Sequence, residues 1–557
     1  MGNLLSDETL RTRFWWPTLV LLAVIAYLYS LGSLTIPNIG DEAPYFQITR
    51  LTAESGDWLP LKAAEGLDNT KPPMLFWQGI VSTNWGKDWS TLRLRAPIVM
   101  FTFLTAVLVF SLARHISGNT ETGYIAALVF LGFSSTFQHG RPFLTNMPET
   151  FFMFLVFYLL IRFRRAELRW QFWLLAGVLI GIASLYRSFA VIAPMGLALG
   201  WYCWWRRRWN LLETIRRDSW KPLLAVVVGL LWFALWPLMD PEPERIFQDF
   251  FLKENVGKLG NANYFQGLFS GTYTLFRIWL GALTNAGLLV FPAVYLAVVS
   301  FRRRRVLMND ERALWILVFS YLVIFSLPAQ RQENYILPIM PALAILLATQ
   351  WARIDRRWFL AFNLPLLLGT VLFLMLMYAI ANGEQVSGQY ALWHPLVLVA
   401  ALAVLVASTI WQQHARHLFF VVVFLAYLGF ASVLSPFDGP AGTYASDTIT
   451  QLENKTVYVP SNFRSKYEQH RFLIPGADIK GYGTTNSKQQ KALLDNGEIV
   501  AIRLPVTATL PENHIVYGQR TVVRSRLKSD ELVQILLRQR TDVLLERELI
   551  VQLKAVS

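Results

Sequence analysis

The sequence predicts a polytopic all-α membrane protein with a small soluble α+β domain at its carboxyl end. Of the 557 residues, 54% are hydrophobic and 16% are charged, which excludes a soluble globular protein. The chain repeats apolar runs of about 20 residues, the length that a helix needs to cross a hydrocarbon layer of about 30 Å. After Pro436 the composition changes abruptly to that of a soluble chain.

The apolar runs divide residues 1–436 into about 13 predicted spans. The predicted spans are Phe14–Leu34, Ala96–Leu112, Thr122–Phe137, Pro148–Ile161, Phe172–Leu185, Phe189–Trp205, Leu223–Met239, Ile278–Phe301, Ala313–Leu327, Ile336–Trp351, Phe359–Ile380, Pro395–Trp411 and Leu418–Leu434. The segment Thr35–Arg95 is too polar to span, but it contains amphipathic stretches that favour short interfacial helices. The first span lacks a clear cleavage site and is expected to stay as a signal anchor.

The placement of the basic residues predicts the orientation of the spans. The net charge is +14, but the cations cluster in short gaps between spans rather than in one region suited to nucleic acid. Alternate gaps hold clusters such as Arg206–Arg208 and Arg302–Arg305, whereas the opposite gaps hold few cations. The positive-inside rule then predicts a cytoplasmic amino terminus and an extracytoplasmic carboxyl terminus. The single Cys203 excludes a disulfide within the chain.

Residues 437–557 are predicted to form the soluble α+β domain. Runs of β-branched and aromatic residues favour strands at Val457–Val459, Ile499–Ile502 and Ile515–Tyr517. The segment Ser529–Glu531 is typical of a helix start and predicts a helix through Leu537.

The first outer loop contains residues suited to charged chemistry. Asp41 and Glu42 follow the first span, and Lys71 precedes two prolines. A carboxylate can orient or deprotonate an incoming hydroxyl, and a nearby lysine can neutralise a departing phosphate. The alternative is that the acidic pair only starts the helix through Tyr45, where negative charge favours the helix dipole. The sequence has no Walker, Rossmann or paired-cysteine motif, so we expect a donor that is already in the membrane.

Five motifs occur in order along the membrane part. They are Gly40–Tyr45, Ser55–Trp58, Lys71–Pro73, Leu144–Thr150 and Ser326–Pro338. These motifs resemble those of the aminoarabinose (lipid A) transferase-like branch of the protein O-mannosyltransferase superfamily. The members of that branch are integral-membrane glycosyltransferases of the GT-C type. For the final domain the resemblance is architectural only.

The resemblance implies a fold, an activity and a location. The fold would be a GT-C membrane domain, residues 1–436, in the inner membrane of a bacterial cell. The activity would be transfer of a sugar from a polyprenyl-phosphate donor lipid to a lipid A-like, glycan or protein acceptor on the extracytoplasmic, periplasmic face. No nucleic acid partner is expected.

The resemblance also implies roles for single residues. Asp41 matches the aspartate that the family places at the reaction centre, and Tyr45 matches a tyrosine of the same motif. Lys71 falls on the lysine that holds the carrier phosphate, and Tyr335 falls on a tyrosine that faces this phosphate. Lys258 lies where relatives tend to carry arginine, and it keeps a cation but loses the bidentate fork.

Four further residues are candidates. Glu42 is a second acidic candidate beside the reaction centre. Asn146 lies where the family has aspartate and can hydrogen-bond an acceptor but cannot ionise, so Glu149, one helical turn on, is expected to supply the charge. Arg141 is a candidate phosphate ligand, and the alternative for it is an interfacial arginine that snorkels.

Departures from the family leave metal dependence open. The chain has Pro44 where the family commonly has arginine. Thr70 and Asn255 lie where relatives have a glutamate and a histidine that resemble metal ligands. Threonine and asparagine are poor ligands for a borderline-soft ion, which disfavours a metal site like that of the relatives but leaves a divalent metal as an alternative.

The residues favour an inverting glycosyltransferase but leave alternatives. In this hypothesis Asp41 acts on the acceptor, while Lys71, Lys258 and Tyr335 stabilise the departing phosphate. A carrier-lipid transporter or flippase would need charges midway through spans, whereas charges here crowd at span ends. An assembly scaffold would require that the acidic and lysine positions be replaceable. Within the transferase class, a protein O-mannosyltransferase-like enzyme is a further alternative.

Overall fold

Helices make up most of the chain, and a five-stranded sheet lies near its carboxyl end. The computed structural model describes residues 7–35, 41–64, 67–163, 165–256, 264–302, 307–383, 386, 388–461, 466–483, 487–509, 513–524, 531, 534–535 and 541–554. Lys258 and most of the helix predicted through Leu537 lie outside these residues.

We number the α-helices of six or more residues in chain order. They are α1 (Trp16–Leu28), α2 (Glu42–Ser55), α3 (Met74–Ser82), α4 (Thr91–Ser117), α5 (Thr120–Gly132), α6 (Ser134–His139), α7 (Asn146–Arg162), α8 (Trp170–Tyr186), α9 (Ile192–Arg206), α10 (Leu211–Arg217), α11 (Trp220–Met239), α12 (Tyr264–Phe269), α13 (Leu275–Ala286), α14 (Val290–Arg302), α15 (Asn309–Ser326), α16 (Met340–Gln350), α17 (Asn363–Ala381), α18 (Trp393–Ile410), α19 (Ala415–Leu434), α20 (Ser446–Leu452) and α21 (Ser487–Asp495).

Shorter or tighter helical segments join these helices. Short α-helices are Glu8–Leu10, Pro243–Ile246, Arg356–Leu360 and His470–Leu473, and π-helices are Arg11–Trp15 and Phe247–Val256. The 3-10 helices are Ala166–Leu168, Phe189–Val191, Gly287–Leu289, Glu333–Ile339, Trp351–Arg353, Gln412–His414, Ser435–Asp438, Lys466–Gln469 and Thr541–Val543.

Each predicted span contains a helix. By length and composition, seven helical stretches of the described chain are long and apolar enough to cross a membrane: Thr91–Ser117, Trp220–Met239, Leu275–Arg302, Glu333–Arg353, Arg356–Ala381, Trp393–Ile410 and Gln412–Asp438. Two shorter apolar helices are α5 and α8. A polytopic helical membrane protein is therefore confirmed, whereas the count of 13 stays a prediction.

Capping residues set several helix ends. α4 begins after Ser90, whose hydroxyl accepts from the Arg93 N–H at 3.3 Å, and it ends at Gly118, whose φ is +70°. Asn119 then starts α5, because its side chain accepts from the Glu121 N–H at 2.7 Å. Such caps satisfy backbone groups that the first and last helical turns leave without partners.

Close packing of α8 against α11 depends on two glycines. A Cβ added to Gly177 would lie 2.6 Å from the Cβ of Val228, and one added to Gly181 would lie 2.5 Å from the Cβ of Trp232. Small residues let helix backbones approach in a membrane, where dispersion contacts drive association. The tight pair positions the last turn of α8, which borders the cavity described below.

The loop of residues 35–95 contains regular secondary structure. It contains α2, an antiparallel hairpin of β1 (Leu61–Ala64) and β2 (Leu67–Asn69), and α3. Leu61 and Phe76 are buried together with Ile48 of α2. This small core holds the two loop helices in a defined relation to each other.

The carboxyl-terminal sheet has the order β4-β3-β5-β7-β6. Its strands are β3 (Thr456–Ser461), β4 (Asp478–Gly483), β5 (Ile499–Pro505), β6 (His514–Val523) and β7 (Leu545–Leu553). β3 pairs in parallel with β4 and β5, whereas β7 pairs antiparallel with β5 and β6. The three predicted strands lie within β3, β5 and β6, and the sequence analysis missed β4 and β7. The domain boundary at Pro436 stays a prediction.

The carboxyl-terminal domain packs against α2. Arg50 donates to both carboxylate oxygens of Glu468, at 3.1 and 2.8 Å. Gln47 hydrogen-bonds Tyr467, and the rings of Phe46 and Phe472 are 5.4 Å apart. Because α2 begins next to Asp41, this domain and the candidate site lie on the same end of the helical bundle.

Candidate active site

A cavity of about 530 Å³ lies where the first outer loop meets the ends of α7 and α8 and the 3-10 helix Glu333–Ile339. Its polar lining is Asp41, Tyr45, Lys71, His139, Thr145, Asn146, Tyr186, Arg187, Ser188, Gln330, Gln332, Asn334 and Tyr335, and its apolar lining is Pro72, Phe76, Leu144, Phe189, Ala190, Val191, Phe250, Phe325 and Pro328. The mixed lining suits a ligand that has a charged head next to hydrocarbon.

Asp41 occupies the N-cap position of α2 and lines the cavity. Its backbone carbonyl accepts from the Tyr45 N–H at 3.1 Å, but its carboxylate makes no capping hydrogen bond. The residue is exposed. Helix initiation therefore uses the Asp41 backbone, while its carboxylate is accessible to a molecule in the cavity.

Lys71 lies between the loop hairpin and α3. The prolines that follow it restrict the backbone on its carboxyl side. Its ammonium is 5.1 Å from the centroid of the Tyr45 ring, and this ring packs edge-on against Phe76 at 5.6 Å. The cation is thus held over an aromatic face of α2, on the same cavity that Asp41 lines.

Arg187 follows the last turn of α8 and supplies a second cation to the cavity. Its Nη1 donates to Glu149 Oε2 at 2.9 Å and to the Asn334 carbonyl at 3.4 Å. Its guanidinium lies 4.8 Å from the centroid of the Tyr335 ring. Two separate parts of the chain, α7 and the 3-10 helix Glu333–Ile339, thus fix this arginine, which favours a preorganised site for an anion.

Glu149 does not line the cavity. The residue is fully buried, and its ion pair with Arg187 is the contact that connects it to the site. The prediction that Glu149 replaces a catalytic carboxylate is therefore not supported by its position. Its charge instead holds Arg187 in place.

Asn146 lines the cavity at the start of α7, beside Thr145. His139 lies nearby at the end of α6. Burial above all, together with the charge of Arg187, lowers the pKa of His139, so this imidazole is neutral at pH 7. The charged side chains that line the cavity in the described chain are then one carboxylate, Asp41, and two cations.

Comparison with known proteins relates this chain to membrane sugar transferases in sequence. The sequence profile of the family described as dolichyl-phosphate-mannose-protein mannosyltransferase matches residues 70–236. An undecaprenyl phosphate-alpha-4-amino-4-deoxy-L-arabinose arabinosyl transferase 1 of Sodalis glossinidius is 28% identical over 60% of this chain and 58% of its own length. The corresponding transferase 2 of Pseudomonas fluorescens is 26% identical over 66% of each chain. The matches thus span about three fifths to two thirds of these relatives.

A solved structure has the same fold over nearly the full length. The crystal structure of ArnT from Cupriavidus metallidurans bound to undecaprenyl phosphate aligns with a TM-score of 0.62 and 17% identity, covering 98% of this chain and 99% of that one. The chain thus resembles aminoarabinose transferases in sequence and shares the fold of one of them. Its apolar helices and its bacterial relatives make it a multi-pass protein of a bacterial inner membrane.

Glu42 and Arg141 do not line the cavity. Glu42 is 4% exposed, pairs with Arg95 at 2.7 and 2.8 Å, and accepts from the Phe143 N–H. Arg141 is fully buried and donates to the carbonyls of Tyr27, in the last turn of α1, and of Tyr29, just after it. Glu42 therefore connects α2 to α4 through its ion pair with Arg95. Arg141 lies inside the helical bundle, so it neither lines the cavity nor extends to the membrane surface.

The fit of a metal ion to the site is poor. No group of three His, Cys, Asp or Glu side chains in the described chain could hold one. Thr70 lies next to Lys71 but is not among the lining residues, and the Asn255 side chain and Lys258 lie outside the described residues.

Sequence analysis missed Arg187 as a site residue. Its role depends on distant contacts, because Glu149 is 38 residues away and Tyr335 lies 148 residues further along the chain. One feature of the sequence does indicate Arg187: it lies at a span end, within a gap that holds no other charge. A cation at such a position is costly unless it has a partner or a ligand.

Proposed function

We propose that this protein is a membrane glycosyltransferase that moves a sugar from a polyprenyl-phosphate-linked donor to a lipid, glycan or protein acceptor on the extracytoplasmic face. The observation that carries the proposal is the convergence of Asp41, Lys71 and Arg187 on one cavity. The relatives named as undecaprenyl-phosphate aminoarabinose transferases support this donor class.

The proposed step is a displacement at the anomeric carbon of the sugar. An acceptor oxygen forms a bond to this carbon, the bond from the carbon to the phosphate oxygen breaks, and polyprenyl phosphate leaves with the bonding electron pair. The singly charged phosphodiester becomes a phosphate monoester, so negative charge grows on the leaving group. Lys71 and Arg187 stabilise that charge where it develops.

Asp41 would act on the acceptor. A hydroxyl acceptor loses its proton as its oxygen attacks, and the Asp41 carboxylate receives this proton or orients the hydroxyl. If the acceptor is a phosphate, it is already ionised and Asp41 acts by positioning. Attack from the face opposite the phosphate inverts the anomeric configuration. Asn146 is placed to hydrogen-bond the acceptor or the sugar, because its amide both donates and accepts.

An aromatic cluster beside the charged site suits the carrier chain. Phe250 and Phe189 line the cavity, with their ring centroids 6.2 Å apart, and Phe189 stacks on Phe251 at 4.9 Å. We infer that the isoprenoid chain lies along these rings while its phosphate contacts Lys71 and Arg187. A donor in the bilayer would thus reach the site without leaving hydrocarbon.

The proposed orientation follows from the charge bias together with the domain contact. The carboxyl-terminal domain packs on α2, so it lies on the side of the membrane that the first loop occupies. The basic gaps predict that this side is extracytoplasmic.

The proposal is tested with purified protein in liposomes that contain an undecaprenyl-phosphate-linked sugar and candidate acceptors. We expect released undecaprenyl phosphate and one glycosylated acceptor in equal amounts, both measured by mass spectrometry. Lys71→Gln should lower the initial rate by about 100-fold, whereas Lys87→Gln, an exposed lysine of the same loop, should leave it unchanged. Movement of the intact donor across the bilayer without release would instead indicate a flippase and contradict the proposal.

A further inference from the structure

A second groove lies at the other end of α7 and α8, away from the candidate active site. Its volume is about 520 Å³. Leu159, Phe163, Phe172 and Leu175 form its apolar wall, and Arg165 and Arg169 border it. Phe163 and Leu175 are about half exposed, so the apolar wall continues to the outside of the helical bundle.

The two arginines of this groove have no acidic partner in the described chain. Glu167 is the one acidic residue between positions 159 and 175. It is already paired with Arg206 at 2.6 Å, and it accepts from the Tyr202 hydroxyl at 2.8 Å. Arg165 and Arg169 are exposed, so the groove carries positive charge that the nearby acid does not neutralise.

The start of α8 adds to this charge. Arg169 occupies the N-cap position in an extended conformation and makes no side-chain capping hydrogen bond, and the first turn contains no acidic residue. A cation at the positive end of a 17-residue helix is unfavourable unless an anion lies nearby. The groove is therefore complementary in charge to a phosphate and complementary in polarity to a hydrocarbon chain.

We propose that this groove binds one anionic glycerophospholipid. This binding does not depend on the proposed transferase activity. The lipid phosphate would lie between Arg165 and Arg169, and one acyl chain would lie along Leu159 and Phe172. A free phosphate would leave the apolar wall uncovered, and a zwitterionic lipid would bring a positive headgroup toward the two guanidiniums. The basic gap places this groove at the predicted cytoplasmic end of the helices, where anionic lipids are abundant.

Native mass spectrometry of the full-length protein in detergent tests this proposal. The protein is titrated with phosphatidylglycerol and, separately, with phosphatidylcholine that has the same acyl chains. We expect tighter binding of phosphatidylglycerol by at least about tenfold, and the double variant Arg165→Gln/Arg169→Gln should remove that preference. The control Arg356→Gln/Arg357→Gln makes the same charge change at exposed positions outside the groove and should keep the preference.

A second variant tests the apolar wall of the groove separately from its two arginines. Leu159→Trp fills part of the apolar wall and keeps both arginines, so it should weaken phosphatidylglycerol binding while the net charge is unchanged. Equal affinity of the wild-type protein for the two lipids would overturn the proposal. It would also be overturned if the groove double variant kept the preference, or if the control double variant lost it to the same extent.

Discussion

Lys71 and Arg187 each place a cation against a tyrosine ring at the wall of the cavity. The rings are those of Tyr45 and Tyr335, at 5.1 and 4.8 Å. A tyrosine face attracts the cation but leaves its outer N–H groups able to bind a ligand. The two pairs come from different parts of the chain and line the same cavity, which suits binding of one phosphate by two cations.

Arg187 is predicted to be required for transfer. Arg187→Gln removes one of the cations that stabilise the leaving phosphate, and we expect kcat to fall by about 100-fold. Arg187→Lys should recover part of this loss, because it keeps the charge but not the planar fork. Transfer assays with the purified variants measure both effects. An unchanged kcat in Arg187→Gln would show that this arginine only pairs with Glu149.

α2 connects the carboxyl-terminal domain to the active-site loop. It bears Tyr45 on the cavity and Arg50 on the domain contact. The Arg50 side chain is 12% exposed and that of Glu468 is fully buried. A buried pair of this kind is costly to break, since Glu468 then loses one counterion and keeps Arg471, at 3.2 Å.

Breaking this contact should destabilise the protein and disturb the site. We expect Arg50→Met to lower the stability by about 3 kcal/mol, and the double variant with Glu468→Gln to lose less than the sum of the single variants. Arg93→Gln is the control, because its partner Asp88 is exposed and the pair should contribute under about 1 kcal/mol. Thermal unfolding of the purified variants measures these effects. Full additivity of the two changes would exclude a direct coupling.

Packing of α8 on α11 predicts a contrast between two glycines. At Gly181 a methyl group would contact Trp232, whereas at Gly200 of α9 nothing lies within 4 Å. Gly181→Ala should destabilise by about 1–3 kcal/mol through overpacking, and Gly200→Ala should be neutral or slightly stabilising because alanine favours the helix. Thermal unfolding compares the two. Equal effects would contradict the close approach of α8 and α11.

A buried carboxylate predicts acid sensitivity of the carboxyl-terminal domain. Glu548 of β7 pairs with Arg503, Arg520 and His470 and accepts from Tyr444. Burial alone would raise the pKa of Glu548, but these partners, Arg520 first, lower it well below its usual range. The ionised carboxylate therefore stabilises the fold above the unfolded pKa of about 4.3, and this contribution is lost as the pH falls through the lower folded pKa.

Unfolding temperatures measured from pH 7 to pH 3 test this prediction. The wild type should lose stability below about pH 4, and Glu548→Gln should be less stable at pH 7 with a shallower decrease in acid. Glu453→Gln changes an exposed carboxylate and should leave the curve unchanged. If the unfolding temperature of Glu548→Gln fell with pH as steeply as that of the wild type, this carboxylate would not cause the acid sensitivity.

For the whole molecule, the sequence predicted the features that depend on local pattern. Hydropathy located the helices, and the loop motifs led to Asp41 and Lys71, which line one cavity. The sequence pattern did not predict features that depend on contacts between distant residues. Glu42 sits beside Asp41 in the chain, but Arg95, 53 residues away, binds it away from the cavity.

The same reason explains the two strands that the sequence analysis missed. β4 contains Lys480 and Gly481 among few apolar residues, and β7 begins with a run rich in charge. β7 is an interior strand because it pairs with both β5 and β6. Its Glu548 is buried because cations from other elements surround it. Such charge pairing cannot be read from alternation of apolar residues.

In the proposed mechanism, Asp41 acts on the acceptor in the cavity that also binds the donor phosphate. The most direct test is the initial rate of sugar transfer from an undecaprenyl-phosphate-linked donor by Asp41→Asn, compared with Asp57→Asn at an exposed position of the same loop. We predict that Asp41→Asn lowers kcat by at least about 100-fold while Asp57→Asn keeps the wild-type rate. A wild-type kcat in Asp41→Asn would contradict the account.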